Sequence, residues 1–274
     1  MTSVAKRSMT TIYDDLWNVD GIEEWLAGEE RLQPRSPASL FDLVADIGLD
    51  STTPILDAGC GQGNYAGELV KRYGSPVAAL DPVESNLASA RQVAADNNFG
   101  DRMTVHKGEM EALPFADGHF ALIWCRSVIV HLPALLPVFQ ECLRVLRPGG
   151  YVMLQTGYAT PEMTSLESES LCRRLGFYAE VLQQTTVEAA IAGAGFQVVR
   201  SESYRSEYAE SYELRDGRCA KHLMGMAKLL RSEELVVERF GRNLYETALG
   251  MYAWQIYQMM GKISYHAYLL QKPG

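Results

Sequence analysis

Between residues 55 and 155 the chain alternates short, wholly apolar runs with longer stretches in which apolar and polar positions recur at helical spacing. Ile55-Leu56 runs into a glycine-rich turn, Ala78-Ala79-Leu80 ends on Asp81, Phe120 to Cys125 is apolar throughout, and a strand over 150–156 follows Pro148-Gly149. Between them, Ala66 to Lys71 and Glu84 to Ala95 read as helices. Such alternation predicts a buried parallel sheet with helices packed on its faces. A helix from Pro37 to about Gly48 leads into the first strand, and residues 157–184 read as polar and partly helical. Thr186 to Ala194 reads as a helix stopped at Gly195, Phe196 to Ser203 as a sixth strand and Ile263 to Leu270 as the last. Between those two strands the pattern changes to helical periodicity at Leu223, Met226, Leu229 and Leu230, then at Leu235, Val236 and Phe240, then from Leu244 to Met260. At the other end, Tyr13, Trp17, Ile22, Trp25 and Leu26 are separated by acids, as in an amphipathic helical arm. The expected organisation is an arm over 1–37, a core over 38–203 and 263–274, and a helical cap over 204–262.

Composition narrows the class. The 274 residues carry a net charge of −9 with Lys and Arg scattered, which argues against nucleic acid as a partner because phosphate neutralisation dominates that affinity. No segment approaches the uncharged length needed to span a bilayer, and Lys6 and Arg7 are not followed by the apolar run of a signal peptide. The reading is a cytoplasmic protein, monomer or homodimer, with no membrane partner. Cys60, Cys125, Cys142, Cys172 and Cys219 are odd in number and lack a C-x-x-C pair, so reduced thiols are expected. No His, Cys or acid cluster has metal-ligand spacing.

The chemistry lies in Asp57-Ala58-Gly59-Cys60-Gly61-Gln62-Gly63-Asn64. Three glycines two residues apart let a backbone turn tightly and approach a ligand where a Cβ would clash. The dinucleotide pattern G-x-G-x-x-G places its last glycine where Asn64 stands here, and Asp57 would repel a pyrophosphate. A carboxylate there suits a cationic ligand. Asp81, one βαβ step downstream, can accept from both hydroxyls of a ribose, or can cap the helix that begins at Glu84.

This spacing resembles the first motif of the class I S-adenosylmethionine (SAM) methyltransferases, D-x-G-x-G-x-G after an apolar strand. Four further stretches agree in order: Asp81-Pro82, the run Val105 to Phe115 around Glu109-Met110, the strand Phe120 to Cys125 followed by Arg126-Ser127, and Leu143 to Leu154 around Arg147-Pro148-Gly149-Gly150. The resemblance is to the type 11, ubiquinone-biosynthesis-like small-molecule enzymes. It implies a Rossmann-like, doubly wound seven-stranded sheet with an antiparallel last strand, SAM as cofactor and S-adenosylhomocysteine (SAH) as product. It further implies that Asp57, Gly59, Cys60, Gly61, Gly63 and Asn64 hold the cofactor together with Asp81 and Pro82. Glu109 would take the adenine amino group and Met110 would pack on the ring. Cys125, Arg126 and Ser127 would lie beside the methionine, and Tyr13 and Arg35 at the places where relatives close that end.

The expected function is methyl transfer to O, N or C of a small, apolar or aromatic specialised metabolite. His131, just past the fourth strand, is the candidate base, since relatives often carry His there. An insertion between the last two strands resembles sugar O-methyltransferases, phosphoethanolamine methyltransferases and cyclopropane synthases, where a cap covers the acceptor. Tyr204, Tyr208, Tyr252, Trp254 and Tyr257 are the candidate acceptor contacts. The alternative is a protein of this fold that binds SAM or SAH but catalyses another reaction, such as a cyclisation, or only binds a metabolite.

Overall fold

A computed structural model describes residues 8–16 and 19–274. The chain divides into two compact units between Pro34 and Arg35. The first contains α1 (Met9–Leu16), α2 (Val19–Gly28) and a short 3-10 turn at Glu30–Leu32. Ile22, Trp25 and Leu26 are exposed.

The second unit opens with a 3-10 helix, Pro37–Val44, where a longer helix to Gly48 was expected. Its buried positions explain the tighter winding: Leu40 and Leu43, and Phe41 and Val44, stand three apart and so share a face at three residues per turn. There follow β1 (Ile55–Ala58), α3 (Asn64–Tyr73), β2 (Val77–Asp81), α4 (Glu84–Asp96), β3 (Met103–Lys107), β4 (Phe120–Arg126), α5 (Leu135–Val145) and β5 (Leu146–Ala159). After α6 (Ser165–Leu175) and α7 (Gln184–Ala194) comes β6 (Gln197–Arg205). Four helices, α8 (Glu207–Asp216), α9 (Arg218–Arg231), α10 (Glu233–Phe240) and α11 (Arg242–Met259), then precede β7 (Ile263–Gln271).

The strands form one seven-stranded sheet of order β3-β2-β1-β4-β5-β7-β6. β3, β2, β1, β4 and β5 run parallel, and β7 is antiparallel to both β5 and β6. The fold is thus the Rossmann-like α/β arrangement expected. All residues of β1 and β2 are buried, as continuous apolar runs between two helical layers should be. The chain winds outward from β1 through β2 to β3, then returns to the other side of β1 with β4. That reversal opens a crevice at the carboxyl ends of β1 and β4. The register places Asp57 level with Trp124, and Ala58 level with Cys125 and Leu80, at that edge.

Gly63 closes the turn at the crevice and starts α3 with φ +81°, and a Cβ there would fall 2.8 Å from the Ala90 backbone of α4. Gly63→Ala is expected to destabilise the protein by about 2 kcal/mol or more, from left-handed strain plus overpacking. Urea unfolding of the two proteins measures this.

Candidate functional site

The turn after β1 hangs from the neighbouring strand. Gly59 and Cys60 both donate their amides to the Leu80 carbonyl (2.8 and 2.9 Å), and Gly63 donates back to Cys60 (2.9 Å). Gly59 has φ +73°, and a Cβ there would lie 2.3 Å from Val128 Cγ2, so the turn can pack against the segment after β4 only with glycine at that place. The Gly61 amide donates to Asp81 Oδ2 (2.9 Å), while Asp81 Oδ1 accepts from the Val83 amide (2.9 Å) and Asn86 Nδ2 (3.1 Å). Asp81 therefore anchors the turn and the start of α4 together, although the residue at the helix cap is Val83. A carboxylate has about four lone-pair positions, and Oδ2, with one accepted bond, keeps room for a ligand hydroxyl.

Around this edge lies a cavity of about 730 Å³ lined by Gly59, Gly61, Asp81, Pro82, Glu109, Met110, Arg126 and Ser127 among the expected residues, and by His131. That volume is in the usual range for a small-molecule site. Glu109 is exposed at its rim, whereas Met110 is buried with its sulfur 3.9 Å from the Cys125 thiol. Asn86, Val83, Val128, Leu132, Pro133 and Tyr178 also line it. Val128 and Leu132 lie in the stretch after the fourth strand where the resemblance places residues beside the methionine and the acceptor, whereas Val83, Asn86, Pro133 and Tyr178 carry no motif in the sequence.

A second cavity of about 250 Å³ adjoins the first and shares Gly59, Gly61 and Arg126 with it. Its other walls are Asp57, Cys60, Gln62, Asn64, Tyr65 and Trp124. Trp124 is fully buried between Phe41 and Tyr65, with ring centres 4.7 and 5.8 Å away. Asp57 is 3% exposed and its Oδ2 has no hydrogen-bond partner. Burial pushes its pKa up from 3.8 to about 7, against the opposing pull of the Ala66 amide and the Arg126 charge. The Arg126 guanidinium lies 4.7 Å over the Tyr65 ring, and its Nη2 donates to Tyr212 Oη (3.4 Å). Ser127 then takes the left-handed conformation, φ +57°. That costs about 1–3 kcal/mol for a non-glycine residue and is offset by two bonds to Gln155, from the Ser127 amide (2.8 Å) and from its Oγ (3.0 Å).

His131 closes the 3-10 turn Ile129–His131 beyond β4. Its Nδ1 is 3.3 Å from the Gly176 carbonyl. An oxygen of that kind only accepts, so the proton sits on Nδ1 and Nε2 is left with its lone pair. Partial burial lowers the imidazole pKa, with the carbonyl contact opposing.

The remaining expected residues stand elsewhere. Arg35 donates to Glu207 and Glu202 and to the Ser203 carbonyl, and lies 4.1 Å over the Tyr204 ring, so it ties the start of the second unit to β6 and α8. Tyr204 and Tyr208 are fully buried against each other, Trp254 donates to Tyr265 Oη (2.9 Å), Tyr252 stacks on His222, and Tyr257 lies under Lys262. None of these five lines either cavity. The Cys60 and Cys125 thiols are buried, with pKa values pushed up by desolvation, unlike reactive thiolates. The side chain of Tyr13 lies outside the described residues, as does Trp17. Among the described residues there is no group of three or more His, Cys, Asp or Glu able to hold a metal ion, and no helix is long and apolar enough to cross a membrane.

The profile of the family described as "Methyltransferase domain" matches residues 56–154, from β1 to the middle of β5. That stretch is similar to methyltransferase domains. Among curated relatives, a sterol 24-C-methyltransferase of Gibberella zeae is 29% identical over 167 residues, covering 58% of this chain and 43% of that protein. The chain spans less than half the length of that relative. Among solved structures, geranyl diphosphate C-methyltransferase from Streptomyces coelicolor A3(2), in complex with Mg²⁺, geranyl diphosphate and SAH, superposes with a TM-score of 0.64 at 17% identity, over 86% of this chain and 78% of that one. The [4+2]-cyclase SpnF superposes with a TM-score of 0.65 at 18% identity, over 85% and 80%. The matched stretch thus contains the glycine turn, Asp57, Asp81, Glu109, Met110, Arg126 and His131, while α6 to α11 lie beyond it.

The raised pKa of Asp57 has a sign that can be tested in the ligand-free protein. In the unfolded chain the carboxyl titrates near 3.8 and in the folded protein near 7, so between those values the folded state binds the extra proton. Its contribution to stability is complete below pH ~4 and is lost as pH rises to about 7. Asp57→Asn should remove that loss, so that its stability relative to wild type increases from pH 5 to pH 8. Urea titrations at the two pH values measure the difference.

Proposed function

We propose that this chain is a SAM-dependent methyltransferase acting on a small organic acceptor. One observation carries the reading: the glycine turn, Asp81 and the Glu109-Met110 pair, which lie far apart in sequence, line a single cavity at the carboxyl edge of a methyltransferase-type sheet. The residues fit the cofactor. Asp81 Oδ2 would receive a ribose hydroxyl, Glu109 would take the adenine amino group, and Met110 would pack on the ring. Gly59, Gly61 and Asp57, whose unpartnered oxygen suits a cation, would hold the cofactor's amino-acid end.

When bound, SAM supplies a methyl group on a positively charged sulfur, ready for in-line displacement. The protein's part is to hold an acceptor atom in line with it, an effect worth up to ~7–11 kcal/mol in favourable models. Leu132, Pro133 and Tyr178, lining the outer part of the cavity beside His131, form an apolar and aromatic wall for that acceptor. The helices α8–α11, with Tyr208 and Trp254 in their packed interior, would act as a cap on the acceptor side without lining either cavity. His131 Nε2 takes the proton from a hydroxyl acceptor, and its lowered pKa keeps it neutral at pH 7.

The test is transfer of labelled methyl from SAM to small molecules, read by mass spectrometry as the gain of one methyl. Tight SAH binding with no acceptor methylated in a broad extract screen would overturn the methyl-transfer reading in favour of another reaction on the same fold. His131→Ala should lower kcat about 10²-fold or more with a hydroxyl acceptor while SAH affinity stays within about twofold. The wild-type rate should rise with pH through a pKa below 6.5 and stay level above it, because only the neutral ring accepts a proton. That limb should disappear in the variant.

A further inference from the structure

Three arginines meet at Tyr212 of the insertion. Its hydroxyl accepts from Arg126 Nη2 (3.4 Å), and its ring centre lies 4.2 Å from the Arg218 guanidinium and 4.8 Å from that of Arg215. Arg126 ends β4, Arg215 stands in the last turn of α8, and Arg218 opens α9. Like charges drawn to one ring repel one another, and the carboxylates at hand offset this only in part. Asp216 is shared between Arg215 (2.8 Å) and Arg218 (2.9 Å). Glu213 is turned away to the amides of Cys219 and Ala220 at the start of α9 (2.6 and 3.1 Å). Lys221 adds a fourth cation, with its ammonium on the Asp216 carbonyl. Arg126 makes no ion pair among the described residues, and its solvent-shielded Nε has no hydrogen-bond partner, an arrangement native structures normally avoid. Its remaining neighbours are phenols: the ring of Tyr65 beneath it, and Tyr208 and Tyr265 further round. Asp57 feels the Arg126 charge, but burial holds that carboxyl toward its neutral form.

We propose that Arg215 and Arg218, ordered on Tyr212 and backed by Arg126, bind a phosphoryl group carried by the methyl acceptor. The proposal rests on the methyltransferase reading above and names the class of its acceptor. Charge decides the class. Three guanidiniums share one carboxylate, which leaves about two positive charges uncompensated in a chain whose net charge is −9. A phosphate monoester carries about −1.5 to −2 at pH 7 and offers three acceptor oxygens, whereas a carboxylate would neutralise only half of the excess. Guanidiniums also suit phosphate by geometry, since their planar forks bond its oxygens in pairs. The cluster can be reached from solvent, with the Arg215 and Arg218 side chains 58% and 34% exposed. Its inner member, Arg126, borders both cavities. A phosphoryl group at the junction of α8 and α9 is therefore one phenol away from a residue of the cofactor crevice, and the insertion selects the acceptor by charge without lining that crevice itself.

Calorimetry on the full chain saturated with SAH tests the proposal, with phenyl phosphate, benzoate and benzyl alcohol as probes. The three share an aromatic ring and differ in charge. Phenyl phosphate should bind the wild-type complex more tightly than benzoate, and benzyl alcohol should bind more weakly than either. The double variant Arg215→Gln/Arg218→Gln should weaken phenyl phosphate about 10- to 100-fold, the size expected for lost charge-assisted hydrogen bonds. Its affinity for SAH should stay within about twofold of wild type, which shows that the variant is folded. Arg215→Lys/Arg218→Lys should recover part of the loss, since the charge remains and the fork does not. No binding of phenyl phosphate to the wild-type complex, or binding unchanged in the Gln variant, would overturn the proposal while leaving the cofactor assignment standing. Tighter binding of benzoate than of phenyl phosphate would overturn the phosphoryl class in favour of a carboxylate. Failure of the wild-type protein to bind SAH would remove the cofactor assignment and, with it, the acceptor role of the cluster.

Discussion

The carbonyl of Leu80 holds the site together. It accepts two successive amides, those of Gly59 and Cys60, and so fixes the turn after β1 to the end of β2. The same link brings Gly61 within reach of Asp81, whose two oxygens then also anchor the entry to α4 through Val83 and Asn86. The turn is locked to β2 by main-chain groups, and both are tied to the start of α4 through the Asp81 carboxylate. The floor of the cavity is therefore rigid before any ligand arrives, and a preorganised floor lowers the ordering cost of binding.

That rigidity depends on packing one layer further out. Position 59 must be glycine because Val128 occupies the space a Cβ would need, and Val128 follows Ser127, which turns the chain in a left-handed conformation held by Gln155. The strand β5 thus supports the turn after β4, which supports the turn after β1. Buried charge follows the same order. Asp57 is shielded from bulk solvent, so burial pushes the carboxyl toward its neutral form against the pull of the Arg126 charge.

How much of this the sequence shows depends on the distance over which each signal acts. The glycine spacing, Asp81 after its apolar strand and Glu109-Met110 after the third are local patterns, and the structure gathers Asp81, Glu109 and Met110 with Gly59 and Gly61 of the turn at one cavity. Strand order and the antiparallel β7 follow from the same local signals once the resemblance is granted. The surroundings of Arg126 could not be read that way. Tyr65, Tyr208, Tyr212 and Tyr265 are spread over 200 residues, and nothing in their spacing distinguishes those that meet a guanidinium from those that pack on one another. The 3-10 winding of Pro37–Val44 was missed because a three-residue and a 3.6-residue period differ little over two turns. The aromatic residues of the insertion illustrate a further limit: a row of Tyr and Trp marks burial, and burial between helices has the same sequence signature as burial against a ligand.

The insertion explains why fold and acceptor chemistry come apart here. Its helices enter after β6 and return through α11 to β7, which pairs with β5 along its whole length. Ends fixed to the sheet in this way leave the middle free to vary without disturbing the cofactor floor, because no main-chain bond of the Gly59–Gly63 turn involves α8 to α11. The described contact from the insertion to the charged part of the site is a side-chain one, Tyr212 to Arg126. A single polar contact of about 3.4 Å is weak on its own, yet it lies on the residue that borders both cavities. A change in the insertion can therefore reach the cofactor side through Arg126, while the floor formed by Leu80 and Asp81 stays as it is.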